Sequence, residues 1–427
     1  MRKCSYANGA PAAGIPMLWR VAAVAVLGLA LFLVHRPPLH APFYLDSTYH
    51  LAEKSNLHME APTPDALWRA IHLDTDSPRI YRPLSGLTLA FTYWRAGLDP
   101  AAYRLGNIAI HILASLSLLF LLTAVLRAPR VARRYPVEPS ATWLIALLAT
   151  TIWSLHPVQT NVVSYVIQRM TSLSGLFSFL AVGAYVRLRS GRGWAWAPLV
   201  VAATLCSAAS KEIGALAPCF FLLAEWLLLD PPAQGAPRKA LASAWGAILA
   251  GAAIVALLQG PALWHKVQAG YAVRSFTMGE RLLTEATIQL RYLTLLFVPD
   301  PRLLTIDAEV SPSKGLLHPP ETLGGVLLIL LTLALAVLWA RRRPLVSLAI
   351  AWFFVAQAVE STILPLELYF EHRLYVPAAL LYVPVAHGVF SVARRHRWAA
   401  VAGTATLACV LGAEAWATHY RATLWAD

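Results

Sequence analysis

A single carboxylate follows the first hydrophobic stretch of the chain, within the sequence Phe43-Tyr44-Leu45-Asp46-Ser47-Thr48-Tyr49-His50. Asp46 would lie close to a membrane surface at this point. A carboxylate that is free of a cation partner can act as a general base and take the proton of a hydroxyl or amide nucleophile. The alternative is a solvated loop or helix-cap aspartate, and position alone favours that alternative.

Cations and histidines occupy the ends of later apolar stretches on the same side. Arginine binds a phosphate with two parallel hydrogen bonds, whereas lysine binds it as a point charge. An arginine inside an apolar span is costly unless it faces a polar cavity or a partner. The competing interpretations are turn chemistry, a local ion pair and snorkelling of long side chains. The candidate phosphate- and substrate-binding residues are Arg82, His156, Arg169, Lys211, His372 and Arg373.

Other residue types exclude several kinds of site. The four cysteines (Cys4, Cys206, Cys219 and Cys409) are scattered, so the spacing predicts neither a disulfide framework nor a zinc site. No metal or other cofactor is expected. Asn107 and His111 lie one helical turn apart and are predicted to form a buried, hydrogen-bonded pair. The net charge of +13 is distributed in short basic clusters between apolar stretches, which is typical of membrane topology and argues against nucleic-acid binding.

The composition indicates an all-α integral membrane protein. Of the 427 residues, 58% are hydrophobic and 13% charged, whereas soluble chains contain about 25% charged residues. Each membrane span needs about 20 apolar residues. We predict a polytopic helical bundle with about eleven spans, at 18–34, 103–126, 140–155, 160–186, 194–209, 213–229, 240–258, 323–340, 345–359, 374–392 and 398–417.

The basic clusters orient these spans in one domain, 1–427. Arginine-rich loops are placed inside, which predicts an inside N-terminus and an outside C-terminus. The first outer loop, 36–102, contains a short amphipathic piece at 65–72 that would lie in the membrane interface. A second outer loop, 260–320, contains the apolar stretch 286–298. That stretch is too short to span and is predicted to be re-entrant or interfacial.

These motifs, taken in order, resemble the multispan GT-C glycosyltransferases, in particular the transmembrane-and-TPR O-mannosyltransferase type and its bacterial relatives. The resemblance covers nearly the whole chain. It is carried by Asp46, Tyr81-Arg82-Pro83-Leu84, Asn107 with His111, His156-Pro157-Val158-Gln159-Thr160, Gln168-Arg169, Ser210-Lys211-Glu212 and Glu371-His372-Arg373-Leu374-Tyr375-Val376-Pro377.

The resemblance implies inverting sugar transfer from a polyprenyl-phosphate donor to a protein hydroxyl or a glycan, on the periplasmic face of a bacterial inner membrane. Asp46 would be the base, and the cations would hold the lipid phosphate. Two features depart from the family pattern. Ser47 stands where many relatives carry a second acidic residue, and the chain stops at about the point where TPR repeats would begin. The protein is therefore expected either to lack the acceptor-presenting module or to find it on a separate partner chain.

Two other function classes remain open at this stage. A transporter or lipid flippase would need polar residues on both sides of the midplane and often carries internal repeats. The polar residues here favour the outer half, and no repeat is evident. A degenerate scaffold that keeps the fold without activity is the other alternative, and Ser47 motivates it.

Overall fold

The computed structural model describes residues 15–72, 82–191, 193–232, 235–305, 308 and 310–426. Tyr81 of the proposed motif and Arg192 of one basic cluster lie outside these ranges. Every regular element within them is helical. The α-helices are α1 (Met17–His35), α2 (Pro64–Ala70), α3 (Pro83–Ala96), α4 (Pro100–Leu126), α5 (Pro129–Arg134), α6 (Pro139–Leu155), α7 (Thr160–Ser164), α8 (Arg169–Arg189), α9 (Ala197–Ala208), α10 (Ala217–Leu227), α11 (Ala236–Tyr271), α12 (Met278–Phe297), α13 (Glu321–Leu338), α14 (Pro344–Ala356), α15 (Tyr382–Ala393) and α16 (Arg397–Thr423).

Short turns of tighter or wider helix connect several of these elements. A π-helical turn covers Thr48–Glu53, between α1 and α2. The 3₁₀ turns are Ser55–Leu57, Pro157–Gln159, Val166–Gln168, Trp194–Trp196, Glu212–Leu216, Pro301–Leu303, Glu371–Leu374 and Pro377–Leu380. Many of them occur where the sequence predicts the end of a span or a motif.

Six helices of the described ranges are long and apolar enough to cross a membrane. The number rises to eight if two bent helix pairs each count as one span; these pairs bend by 54° between 139–155 and 157–164 and by 43° between 371–380 and 382–393. The chain is therefore a multi-pass, all-α membrane protein. The predicted number of eleven spans is not confirmed.

Several predicted elements have different boundaries in the structure. The predicted span 160–186 is interrupted at Tyr165, so that its long helix begins at Arg169. The span predicted at 240–258 is part of α11, which continues to Tyr271 and includes Pro261. The stretch 286–298 is the second half of α12, a 20-residue amphipathic helix that begins with a Thr277–Glu280 capping box. Between α1 and α3, the helix α2 (Pro64–Ala70) overlaps the predicted amphipathic piece 65–72.

The core lies where α4, α6 and α8 pack against the interrupted segment 371–380. Trp153 and Trp352 are buried there, and the Trp352 ring stacks on Phe220 with centroids 4.0 Å apart. Each indole N–H donates to a carbonyl of the interrupted segment, from Trp153 to Tyr375 and from Trp352 to Val376, both at 2.9 Å. Irregular backbone at membrane depth must find such partners, because lipid offers none. The indoles therefore stabilise the break.

A close backbone contact joins α9 to the following 3₁₀ turn. A Cβ atom placed on Gly214 would lie 2.2 Å from the carbonyl carbon of Ser207, which is main chain and cannot rotate away. Only glycine fits at this position. The tight connection places Lys211 and Glu212 at the end of the bundle that carries Asp46.

We expect Gly214→Ala to destabilise the protein, because the added methyl group forces apart two main-chain segments; overpacking of this kind typically costs about 1–3 kcal/mol. The measurement is the thermal unfolding midpoint of the detergent-solubilised protein. Gly246→Ala in α11 is the control, since a Cβ there meets nothing within 4 Å. Equal midpoints for the two variants would contradict the contact.

Candidate active site

A buried arginine, Arg169, stabilises the interruption of the helix at Tyr165. Arg169 is 2% exposed. Its Nε donates to the Asn107 side-chain oxygen at 2.8 Å, and its terminal nitrogens donate to the Thr88 carbonyl and the Thr92 hydroxyl at 2.9 and 2.8 Å and to the Tyr103 carbonyl at 2.9 Å. All three nitrogens are engaged by protein groups. In this conformation these contacts join α3, α4 and α8, and phosphate binding by Arg169 stays a prediction.

Asn107 and His111 do not bond to each other, contrary to the prediction of a pair. The Asn107 amide nitrogen donates to the carbonyls of Val163 and Val166, at 3.2 and 3.3 Å, on either side of the interruption. His111 instead contacts the Tyr375 hydroxyl at 2.8 Å. Both side chains are buried and hydrogen-bonded, as expected, but each serves a different interrupted helix.

The interruption places the hydroxyl of Tyr165 beneath Asp46. The backbone N–H of Asp46 donates to the Tyr165 hydroxyl at 3.0 Å. The preceding residue, Leu45, has a φ of 50°, so the chain turns sharply there. Asp46 is exposed. No lysine or arginine of the described ranges lies within the 4.0 Å ion-pair distance of its carboxylate.

Two further contacts fix this loop. The guanidinium of Arg104 donates to the carbonyls of Ala41 and Pro42, the latter at 2.6 Å. Ser47 is buried, and its hydroxyl accepts the N–H of Ile167 at 3.2 Å. Where many relatives were expected to carry a second acid, this chain therefore uses a serine to attach the loop to the interrupted helix.

Asp46 lines a cavity of about 560 Å³ at this end of the bundle. Tyr165 lies on the same side, and Phe276 and Val310 contribute apolar lining. The opposite wall is the segment Glu367–Phe370, which runs directly into the Glu371-His372-Arg373 motif. A carboxylate thus faces a pocket large enough for a sugar-sized group.

Behind this wall lie two of the predicted binding residues. The His372 ring stacks on Phe370 with centroids 4.9 Å apart, and the Arg373 guanidinium lies 5.5 Å from the centre of the same ring. Arg373 also donates to the carbonyls of Leu368 and Glu367, at 3.0 and 2.7 Å. The wall of the cavity and the cationic motif therefore form one connected unit.

Lys211 and Arg82 join this cluster through carboxylates from other elements. Lys211 is 2.7 Å from Glu360 and donates to the Thr171 hydroxyl at 3.0 Å. Arg82 forms a two-point pair with Glu212, with nitrogen–oxygen distances of 3.0 and 2.9 Å. The alternative of an internal Lys211–Glu212 pair is not what the structure shows. His372 and Glu360 are close enough to Lys211, Arg82 and Arg373 to be electrostatically coupled to all three.

His156 is not part of this cluster. Its Nδ1 accepts the N–H of Val158 at 3.2 Å within the turn that follows α6, and its ring faces Tyr382 with centroids 6.1 Å apart. Glu371, the next carboxylate in the motif, forms a buried ion pair with Arg421 and accepts the N–H of Thr305 at 2.7 Å. In this conformation, the Nδ1 of His156 and the carboxylate of Glu371 are therefore both bonded to other protein groups.

The structure adds residues that sequence reasoning missed. Glu285 on α12 lies 3.0 Å from Arg281, one turn earlier, and 3.9 Å from Arg373. Glu360 is the partner of Lys211. The spacing of Arg281 and Glu285 is the signal that could have indicated a pair. Tyr165 offered no sequence signal, because its position depends on the interruption of the helix. Within the described ranges, no group of three or more His, Cys, Asp or Glu side chains is arranged to hold a metal ion.

Comparison with known proteins places the chain among distant relatives of protein O-mannosyl-transferases. It is 29% identical over 197 residues to protein O-mannosyl-transferase tmtc2 of Xenopus laevis, which is 44% of this chain and 22% of that protein. It is 27% identical over 179 residues to TMTC3 of Homo sapiens and 28% over 181 residues to TMTC4 of Mus musculus.

The matched segments span about a fifth of the length of these relatives, at 22%, 18% and 23%. No protein-family model matches the chain. No solved structure matches it either. The similarity supports a GT-C-like relationship and a glycosyltransferase role in general.

We expect the free energy of unfolding to depend on pH through Glu285. Burial raises its pKa to about 7, although Arg281 and Arg373 lower it in part. A raised pKa in the folded state means that this contribution to stability is complete below about pH 4 and is lost as the pH rises through 7. The measurement is the unfolding midpoint between pH 5 and 8, where Glu285→Gln should have the flatter profile.

Glu280→Gln is the matched control on the same helix. The ion pair with Lys314 and the Thr277 cap lower the pKa of Glu280 to about 2, so it is ionised throughout this range. Its removal should leave the slope between pH 5 and 8 unchanged. A wild-type slope in Glu285→Gln would show that another group titrates.

Proposed function

We propose that this protein is a membrane-embedded glycosyltransferase that moves a sugar from a polyprenyl-phosphate donor to a hydroxyl group, with Asp46 as the general base. The acceptor is a protein hydroxyl or a glycan. One observation carries the proposal. Asp46 is an exposed carboxylate without a cation partner among the described residues, fixed by Tyr165 at the edge of a sugar-sized cavity, and Arg373 donates to carbonyls of the segment Glu367–Phe370 that lines the same cavity.

The reaction is a single displacement at the anomeric carbon. Asp46 takes the proton of the acceptor hydroxyl, and the acceptor oxygen bonds to that carbon. The bond from the carbon to the phosphate oxygen breaks, and the lipid phosphate leaves with the electron pair. A base of this kind typically contributes about 10²–10⁴-fold to the rate.

The cation cluster suits the departing phosphate. Arg82, Lys211 and Arg373 are each held in place by a carboxylate or by carbonyls, which limits their motion before the donor binds. Positive groups that are already oriented stabilise developing negative charge without reorganisation. Arg82 is the most accessible of the three, with 17% of its side chain exposed, and it is our first candidate for direct phosphate contact. His372 shapes the wall between the cluster and the cavity.

Charge supports the orientation. The arginine-rich loops lie at the end of the bundle opposite Asp46, and such loops face the cytoplasm in most membrane proteins. The cavity would then open on the periplasmic face of a bacterial inner membrane. The relatives are named protein O-mannosyl-transferases, which supports a sugar donor and a protein acceptor. A separate acceptor-presenting partner belongs to the same proposal.

We expect Asp46→Asn to lower sugar transfer at least about 100-fold, because the amide cannot accept the acceptor's proton. The assay is transfer from radiolabelled polyprenyl-phosphate sugars in proteoliposomes. Asp65→Asn is the control, since Asp65 is an exposed carboxylate of the same loop paired with Arg69 at 3.5 Å. Equal transfer by Asp46→Asn and wild type would assign the base elsewhere, and donor binding without transfer by wild type would favour a scaffold.

We expect Arg82→Gln to lower kcat and to raise the KM for the donor, so that kcat/KM falls about tenfold or more, since a charge-assisted hydrogen bond to the phosphate is lost both in the bound donor and in the transition state. The measurement is initial rates against donor concentration. Glu212→Gln separates the two possible roles of Arg82. If Arg82 only holds Glu212, both variants should behave alike, whereas phosphate contact predicts an unchanged or lower KM in Glu212→Gln.

A further inference from the structure

The end of the bundle opposite Asp46 contains two adjoining cavities of about 770 and 650 Å³. They form where α5, the connection between α13 and α14, and the end of α15 meet. Arg134 lines both cavities. The arginines that line one or both are Arg130, Arg133, Arg134, Arg341, Arg343, Arg394 and Arg395, and no Asp or Glu side chain of the described residues lines either.

Carboxylates neutralise only part of this charge. Asp230 pairs with Arg133 at 2.6 Å and with Arg130 at 3.7 Å, and Glu138 lies 3.9 Å from Arg394. The lining arginines without a carboxylate partner in the described part of the chain are Arg134, Arg341, Arg343 and Arg395. A surface with this surplus attracts anions.

Arg134 is oriented toward the cavities by a contact with main chain. Its Nε donates to the Arg342 carbonyl at 3.0 Å, and its guanidinium lies 5.6 Å from the centre of the Tyr135 ring. With Nε occupied, the two terminal nitrogens are the donors that remain for a ligand. Two such nitrogens match the spacing of two phosphate oxygens.

The walls of the larger cavity are apolar below the arginines. Leu345 and Val346 begin α14, and Phe390 and Val392 belong to the last turns of α15. Val392 is 53% exposed, so the apolar wall continues to the outer surface of the bundle. Basic side chains next to an apolar wall, at the end of spanning helices, are typical of sites that bind a lipid headgroup and its acyl chains.

The preference for arginine on one side of a membrane does not account for this arrangement. Topology requires only that basic residues lie in the loops. It does not require that arginines from three separate segments converge on two concavities that share one guanidinium. The exclusive use of arginine also fits two-point phosphate recognition better than a general charge bias.

We propose that these two cavities bind the headgroup of an anionic phospholipid, with phosphate oxygens on Arg134 and Arg343 and acyl chains against α14 and α15. A lipid with two phosphates, such as a diphosphatidylglycerol, would occupy both cavities at once. The site is independent of the proposed sugar transfer, since it lies at the other end of the bundle. Its ligand stabilises the junction of α5, α14 and α15.

The test is native mass spectrometry of the full chain in detergent with added phosphatidylglycerol, diphosphatidylglycerol or phosphatidylcholine. The variants are Arg134→Gln/Arg343→Gln and, as a control, Lys239→Gln; Lys239 is exposed, lies near the same end and lines neither cavity. We expect the double variant to retain at least about fivefold less of both anionic lipids. The control should match wild type, and phosphatidylcholine should bind all three weakly and equally.

Equal retention of anionic lipid by wild type and the double variant would overturn the proposal. Inorganic phosphate is a second arm: if millimolar phosphate displaces the lipid completely and raises the thermal midpoint as much as the lipid does, the ligand is a soluble phosphate and the lipid assignment fails. Arg134→Lys/Arg343→Lys keeps the charge and guards against misfolding. It should bind with intermediate affinity, because lysine cannot form the two-point contact.

Discussion

The guanidinium of Arg169 makes the contacts on which the Asp46 end of this bundle depends. It fills the gap where the predicted fourth span stops being a helix, and it bonds to α3 and α4 at the same time. Asn107 takes the carbonyls that the missing helical turn leaves free. Main chain that departs from a helix inside a membrane survives only when it is satisfied in this way. The hydrogen bonds of Arg169 and Asn107 thus offset the cost of the helical hydrogen bonds that are missing at Tyr165.

Side-chain hydrogen bonds to free main-chain carbonyls also stabilise the second interruption, in the segment 371–380. Indole N–H groups bond to the carbonyls of Tyr375 and Val376, and His111 contacts the Tyr375 hydroxyl. The first interruption supplies Tyr165 to the lining of the cavity that contains Asp46, and the second follows directly after the lining segment Glu367–Phe370. Asp46 and that segment lie in connections between helices, so the cavity is formed by a helix break together with two connecting segments.

Much of this could be predicted from the sequence, and the failures have a common cause. Apolar length and charge indicated the membrane class, and the positions of Asp46, Lys211 and Arg373 indicated which end holds polar chemistry. Arg169 was expected to need a polar cavity or a partner, and two of its partners are the carbonyls of Thr88 and Tyr103, which have no sequence signature. Tyr165 could not be found because its neighbour Asp46 comes from a distant segment. The predicted span 160–186 failed for a similar reason: its interruption is stabilised by α4, which no local pattern reveals.

The length of α11 has a consequence for the whole molecule. Its 36 residues extend about 54 Å, whereas the hydrocarbon core of a bilayer is about 30 Å thick. None of its most apolar window is buried against protein, so the surrounding lipid contributes to its depth and tilt together with the contacts at its ends. Its far end is tied by Tyr271 to the Ile363 carbonyl, and Arg274, just beyond it, bonds to the Pro365 carbonyl. Both carbonyls lie in the segment that leads into Glu367–Phe370. A change in bilayer thickness that tilts α11 would therefore displace, through these two hydrogen bonds, the segment that leads into the wall of the cavity.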